Sequence, residues 1–480
     1  MNNGKDLADH AINYGSSHQV KYIEARYVEK REEGYTTRNG ELFGAGITPT
    51  KGIGIRVLTD GGVGFASTAK LTQKSIEKAV EDAIKYAKSC NRQNPIEFSE
   101  EKPVQTKWGV EVKRSFEDVS VEEKQEYLVK MDKQLVENFG KDLPNRMLML
   151  SLTSENKYIV NNEGSQMKVS LSNPILHTFN TAVAKVGTEQ RFMGKGGTGG
   201  WEWFEDEDVI GVVMEDNRAL VNAAKNATDM KLGVIDVIVS SEVAGIMAHE
   251  NVGHPSESDR ILGREGAQAG ESFYLDLLDK GEMGQIKMGN PEVTIIDDPT
   301  IKGSSGFYLY DDECVKARPR ELIKDGMLNE LLLNREFAAR YNIPSNGSSR
   351  AIAFNREPIV RMANTYFKPG SYTLEEMVED VKEGMYMKSF TEWNIDDRRF
   401  QSKYVGMECF YIKDGVITDK MIRRPTLELT TFGILGSVDA VSNDFENPHG
   451  TCGKCDPMQG VPVWMGGAQL RMRNIQLGGI

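Results

Sequence analysis

The stretch Val237-Ile-Val-Ser-Ser-Glu-Val-Ala-Gly-Ile-Met-Ala-His-Glu-Asn-Val-Gly-His254 passes from a β-branched run into a helical pattern. Residues 237–240 read as a strand, because Val and Ile suit a pleated, buried surface. Ser241 suits an N-cap, since its hydroxyl can accept from a free N–H of the first turn. The helix that follows ends at His254, where Gly253 permits unusual dihedrals and Pro255 pushes the preceding residue out of the α region. His249 and His254 are two of only six histidines, and Glu250 stands beside the first. Metal-binding helices of peptidases normally carry HExxH, with both imidazoles on one face. Here the spacing is HExxxH. Five residues at about 100° each turn about 500°, which leaves the second imidazole about 140° from the first. A regular helix cannot offer both rings to one ion. A widened π-turn or a distorted last turn could bring them together. Glu250 would then stand ready to take a proton from water activated at the metal. Taken alone, the segment also fits a capped helix that merely ends in Gly-His-Pro.

A catalytic zinc needs a third protein ligand and an open position. The distant segment His449-Gly-Thr-Cys-Gly-Lys-Cys455 offers three candidates: His449, Cys452 and Cys455. Its lone CxxC also fits half of a structural zinc site or a redox pair, but no second CxxC and no thioredoxin-like βαβ pattern accompanies it. Five cysteines in a long chain, with no apolar run near the start, read as a reduced, cytoplasmic protein without a disulfide framework. Cys90, Cys314 and Cys409 are expected to pack as small hydrophobes. His10, His18 and His177 are expected to be solvated or satisfied within the fold.

Outward from this centre, the first half alternates strands and amphipathic helices. Residues 23–28 alternate as a half-buried strand, and residues 52–58 and 63–66 flank a Gly-rich turn as a hairpin. Thr72 is a candidate N-cap for a helix carrying Ile76, Ala79, Val80, Ala83, Ile84 and Ala87. Ser120 with Glu123 forms a capping box for a helix that runs to about Asn138. Residues 147–152, 157–160 and 166–171 suggest a meander, with a further strand over 178–186. The glycine cluster over 194–200 lacks the context of a phosphate loop and reads as a mobile loop. A long helix is expected over 207–230. The second half is richer in hairpins: residues 322–328 and 410–417 both place Lys-Asp-Gly between apolar runs. Residues 293–296, 359–362 and 427–432 add strands. The expected fold class is α+β: an N-terminal mixed domain over 1–232, then a β-rich, hairpin-built domain over 233–480 that carries the metal-site helix.

The 480 residues allow a large core. The net charge of −13 argues against general nucleic-acid binding, because an acidic surface repels phosphates. The most apolar stretch, residues 233–248, is too short and too polar to span a bilayer.

Many segments together resemble the TldD/PmbA (modulator of DNA gyrase) family. They include Asn39-Gly40, the run from Gly52 to Ser67, and Gly196-Gly-Thr-Gly-Gly-Trp-Glu-Trp-Phe204. The motif His249-Glu-Asn-Val-Gly-His254 follows, with Glu257 and Asp259. Beyond it stand Gly303-Ser-Ser-Gly-Phe, Asp311-Asp-Glu313, Ser348-Ser-Arg350 and Arg361-Met-Ala-Asn-Thr-Tyr366. Thr451-Cys-Gly-Lys454, Val461-Pro-Val463 and Gly478-Gly479 close the series. The resemblance implies a zinc metallopeptidase in which His249, His254 and Cys452 bind the metal and Glu250 is the base; Cys455 has no counterpart in the pattern. It also implies an assembly of two related subunits, a homodimer or a heterodimer with a PmbA-like partner, whose chamber admits unfolded peptides. A chain with an intact HExxxH resembles the catalytic kind. An inert zinc-stabilised scaffold or modulator subunit is the alternative, but such a site has no use for Glu250. Tyr308, Tyr310 and Arg361 lie in matching segments and are expected to be core or sheet-face residues.

Overall fold

The computed structural model describes residues 2–90, 94–230, 233–265 and 270–478. Leu232, at the expected domain boundary, and Gly479 lie outside the described residues. The first half is built on a seven-stranded sheet. Its middle is an antiparallel set of long strands: Glu41–Leu58, Tyr22–Arg38, Asn145–Asn161 and Gln166–Val183. Helices Asn2–Ser16 and Gln73–Ser89 bury Ala8, Ala11, Ile76, Val80 and Ala83 against Ile23, Ala25, Ile53 and Ile55. Helices Val121–Phe139 and Val209–Asn226 cover the other end through Leu128, Met131, Leu135, Val213 and Leu220.

Local signals explain these boundaries. Thr72 accepts from the Ser75 N–H, and Ser120 accepts from the Glu123 N–H at 3.1 Å. The helix expected over 207–230 spans Val209–Asn226: Asp208 caps its start, accepting from Gly211 N–H at 2.9 Å, and Ala227 turns extended at its end, where Thr228 N–H donates to the Met421 carbonyl at 3.0 Å. The expected meander is instead two continuous strands. Ser154, Glu155 and Asn156 interrupt the apolar pattern, yet they pair with Arg31, Lys30 and Glu29 on one side and Ser172, Leu171 and Ser170 on the other. Backbone pairing on both edges holds a polar stretch in the ladder. The glycine cluster begins inside the strand Thr188–Gly196 and is largely buried beyond it, so it is not an open loop.

Among the described residues the second half holds two large sheets and a two-stranded one, Ser349–Arg350 with Ile359–Val360. A nine-stranded sheet contains Val234–Val239 between Leu470–Gly478 and Glu383–Met387, and ends at Phe390–Ile395. A six-stranded sheet ends in the hairpin His449–Lys454 and Gln459–Gly467. Both Lys-Asp-Gly turns form as expected, with Asp325 and Gly326, and Asp414 and Gly415, at positive φ, as a primed hairpin turn requires. The strand expected over 427–432 stops at Thr430, whose hydroxyl caps the helix Thr431–Ser437. Among the described residues no helix is long and apolar enough to cross a membrane.

The helix Ser241–Ala248, Glu242 apart, is buried against the six-stranded sheet. Ser240, rather than Ser241, is its cap, accepting from Val243 N–H at 3.4 Å and donating to the Lys388 carbonyl at 2.6 Å. Gly245 makes the close approach possible: a Cβ there would lie 2.3 Å from Gly466 N and 2.4 Å from Met465 O. Backbone cannot yield as a flexible side chain can. Gly245→Val should therefore cost about 3 kcal/mol of stability by overpacking, read as a lowered urea midpoint with an unchanged slope.

Candidate metal centre

The buried helix continues into a single π-turn over His249–Gly253. His254 N–H donates to the His249 carbonyl at 3.0 Å, the i to i−5 bond of that geometry. Three features fit the chain to it. Asn251 is fully buried; its amide donates to Met247 O at 3.2 Å and to Tyr404, and accepts from Ser402 and Thr431 hydroxyls at 3.1 and 3.2 Å. The Ser256 hydroxyl donates to the Val252 carbonyl at 2.7 Å. Gly253 packs on Met362, whose sulfur would lie 2.0 Å from an added Cβ.

The wider turn brings the two imidazoles together. Their ring centroids are 4.8 Å apart and their planes 83° apart. Cys452, from the hairpin strand His449–Lys454, places Sγ 3.6 Å from His254 Nε2. One ligand atom from each of His249, His254 and Cys452 lies within 4.8 Å of the others, and all three residues are buried. These are the residues that could hold a metal. His249 Nδ1 is buried without a hydrogen-bond partner.

Charged groups beneath this cluster orient it. His254 Nδ1 lies 2.9 Å from Glu257 Oε2, and that carboxylate fixes the ring with Nε2 facing Cys452. Glu257 also accepts from Arg260 Nε at 2.7 Å and lies 3.4 Å from Lys454 Nζ. Lys454 donates to both oxygens of Asp259, at 2.6 and 2.7 Å, and to the Val360 carbonyl at 2.9 Å. Burial pushes the Glu257 carboxyl up, but Lys454, His254 and Arg260 outweigh it and hold the group well below the usual range. Burial and the Glu257 charge raise Asp259, with Lys454 opposing. Burial would likewise raise the Cys452 thiol, yet His254 and Arg361 bring it down to about 7. Arg361 is the buried sheet-face arginine expected: it donates to the Gln459 carbonyl at 2.8 Å and to the Cys452 carbonyl, clamping both hairpin strands.

Glu250 faces the same cavity, a space of about 520 Å³ between the two halves of the chain. Trp393 Nε1 donates to Glu250 Oε1 at 3.2 Å, and Arg399 Nη1 lies 3.1 Å from Oε2. Burial raises the Glu250 carboxyl, but His254, His249, Arg399 and the Trp393 N–H outweigh it and leave it below the usual range. Neither Trp393 nor Arg399 stands out in sequence, because contacts 143 and 149 residues away leave no periodic trace.

The other candidates lie elsewhere. His449 is outside the three-residue group: its Nδ1 bonds Ser305 Oγ at 2.7 Å, and burial with His177 nearby pushes it down to about 3. Cys455 donates to Glu265 at 3.3 Å and is pushed up to about 12 by burial and that carboxylate. His177 is not merely satisfied; it stacks on Phe192 at 5.1 Å and lines the cavity. His10 bonds Glu77, and His18 bonds the Tyr14 carbonyl. Cys314 and Cys409 are buried as expected, whereas Cys90 is exposed at a helix end. Tyr308 is a core residue donating to the Gly347 carbonyl at 2.9 Å, and Tyr310 packs on the cluster around Ile159 and Met167.

Comparison with known proteins adds the class. The PmbA/TldA metallopeptidase C-terminal domain matches residues 232–479, and domain 1 of the same group matches residues 23–87. The chain belongs to the PmbA/TldD metallopeptidase family. A metalloprotease of Methanocaldococcus jannaschii is 31% identical over 97% of this chain and 96% of its own length. A Saccharolobus solfataricus relative, named a zinc metalloprotease TldD homolog, is 29% identical over 58% of each chain. The crystal structure of TldE from Thermococcus kodakarensis shares the fold, with a TM-score of 0.74 at 17% identity over 98% of this chain and 100% of that one.

Lys454 ties the hairpin to the residues just past the π-turn. Lys454→Met should cost about 3–5 kcal/mol, because it takes from the buried Asp259 the ammonium that bonds both its oxygens and leaves Glu257 to Arg260. Adding Asp259→Asn should recover part of the loss. Thermal denaturation of the single and double variants checks this, and an unaffected single variant would show that the network carries no stability.

Proposed function

We propose that this chain is a zinc-dependent peptidase acting on unfolded or flexible peptides, with His249, His254 and Cys452 as metal ligands and Glu250 as general base. The observation that carries the reading is the convergence of two imidazoles and one thiol in a buried group beside a cavity-facing carboxylate. The donor set suits zinc. With Zn–N of about 2.0–2.1 Å and Zn–S of about 2.3 Å, a tetrahedral site separates nitrogen and sulfur by about 3.6 Å. Cys452 Sγ and His254 Nε2 are 3.6 Å apart. Cys452, titrating at about 7, is available as a thiolate near neutral pH. Burial holds His249 below the ordinary imidazole range, in the neutral form that a metal needs. The zinc in the name of the Saccharolobus solfataricus relative supports the same choice.

When bound, zinc would supply Lewis acidity and a more acidic water. The protein does the rest. Glu257 fixes the His254 ring, and Arg361 fixes the hairpin that presents Cys452. Glu250, kept ionised by Arg399 and oriented by Trp393, takes a proton from the attacking water and passes it to the leaving amine. A cavity of about 520 Å³ accepts a few residues of extended chain rather than a folded domain. We place the domain boundary at Leu232–Gly233, which the C-terminal domain match beginning at residue 232 supports. We propose a paired assembly, with a second copy or a PmbA-like subunit, as membership of the PmbA/TldD family suggests. A free thiol as ligand suits the cytoplasm.

Glu250→Gln should keep the zinc and lower peptide hydrolysis by at least about 100-fold, since an amide cannot accept the proton. Elemental analysis with a peptide-cleavage assay reads both quantities. Full activity in this variant would remove Glu250 from the mechanism. Cys452→Ser should lose most of the zinc, while Cys455→Ser keeps it; the reverse result would reassign the third ligand. A chelator should abolish cleavage in the wild type, and added zinc should restore it.

A further inference from the structure

A peptidase that forms a tetrahedral adduct needs a group to stabilise the carbonyl oxygen as it becomes negative. Resting on the metallopeptidase reading of the site, we infer that Arg399 is a catalytic residue that fills this role. Its guanidinium pairs with Glu250 at rest and shifts that pairing to the carbonyl oxygen as the adduct forms.

The first support is how the residue is held. Arg399 sits at the tip of the hairpin Phe390–Ile395 and Gln401–Gly406, with φ at 63°. Glycine or asparagine would take that left-handed conformation at less cost. A bulky residue kept there points to a use for its side chain. The tip is fixed around it. The Asp396 carboxylate accepts from Phe400 N–H at 2.6 Å and Gln401 N–H at 3.1 Å. Arg399 N–H donates to the Asp396 carbonyl at 3.0 Å, and the Arg398 carbonyl accepts from Phe273 N–H at 2.9 Å. The guanidinium is therefore aimed from a rigid turn into the cavity lined by His249, His254 and Cys452.

The second support is the path of charge. As the water oxygen bonds to the peptide carbon, its proton goes to Glu250 and the carbonyl π pair moves onto oxygen. Glu250 becomes neutral as the oxygen becomes negative, so the negative charge moves while the net charge of the group stays the same. A cation already 3.1 Å from Glu250 Oε2 can serve both partners in turn. Such a pre-placed charge acts without solvent reorganisation. When the C–N bond breaks, the Glu250 proton goes to the amine nitrogen and Arg399 returns to the carboxylate. Trp393 keeps its bond to the other oxygen throughout, so Glu250 stays aimed. Arg191 also lines the cavity, but the carboxylates it pairs with are Asp216 at 2.8 Å and Glu242 at 2.7 and 2.8 Å, not Glu250. Arg399 is the cavity arginine that shares the base.

The test compares zinc-loaded wild type with Arg399→Gln and Arg399→Lys by calorimetry against two probes. One is a phosphinic peptide, in which an anionic tetrahedral phosphinate replaces the scissile amide. The other is a reduced-amide peptide of the same sequence, which has no oxygen at that position. Arg399→Gln should lose about 100-fold in affinity for the phosphinate and the same factor in kcat/KM. Its affinity for the reduced amide should stay within about threefold, and its zinc content should be unchanged. Arg399→Lys, which keeps the charge without the fork, should recover part of the loss. Phosphinate affinity unchanged in both variants while kcat falls would overturn the inference, because Arg399 would then act only through Glu250. A zinc-loaded wild type that neither binds the phosphinate nor cleaves peptides would overturn the metallopeptidase reading itself, a distinct result.

Discussion

One backbone hydrogen bond decides what this site can be: His254 N–H to the His249 carbonyl, five residues back. Had the helix stayed regular, His254 would bond Glu250, and the two imidazoles would leave the helix on different faces. The π-turn is intrinsically rare, so something outside it must make it the better choice. Here the chain supplies a buried amide, Asn251, that four partners hold inside the widened turn. It also supplies Gly253, which gives Met362 the room that any side chain would take. The helix terminus is thus determined by tertiary packing, and the chemistry follows from that terminus.

The third corner of the cluster depends on a different interaction. Cys452 lies 198 residues beyond His254, on a hairpin that could pack in several registers. Two buried cations remove that freedom. Arg361 bonds carbonyls on both hairpin strands, and Lys454 bridges to Asp259 and Glu257 beside the π-turn. Buried ion pairs are weak evidence for stability, since desolvation offsets most of their attraction. Their value here is positional: Glu257 touches both His254 and Lys454, so helix terminus and hairpin share one carboxylate.

Sequence patterns carried a good part of this. Thr72, Ser120 and the two Lys-Asp-Gly turns act through neighbours within four residues, so their effects are local and readable. The HExxxH spacing and the angular mismatch it creates were likewise legible, because helix geometry is the same in every protein. What was not legible depends on distant pairing. The strands Asn145–Asn161 and Gln166–Val183 run through polar interruptions only because a neighbour on each edge holds them. Trp393 and Arg399 look like ordinary surface residues until the hairpin folds over Glu250. His177 and His449, from opposite halves of the chain, share the cavity wall for the same reason.

The pairing of Arg399 with Glu250 poses a conflict that the geometry resolves. A cation beside a carboxylate lowers its pKa and so weakens it as a base. Glu250 is nearly enclosed, however, and burial alone would push it toward the protonated form, in which it could accept nothing. The two effects oppose each other, and the balance leaves an ionised carboxylate in a place where one would not otherwise persist. The weakening also applies only while Arg399 faces the carboxylate. Once negative charge grows on another atom within the guanidinium's reach, the pull on Glu250 falls and its proton affinity rises at the moment the proton arrives. A base that strengthens as the reaction proceeds needs a mobile side chain on an immobile backbone. The hairpin tip has that combination: its main chain is fixed by Asp396, and its arginine has the length to move between partners.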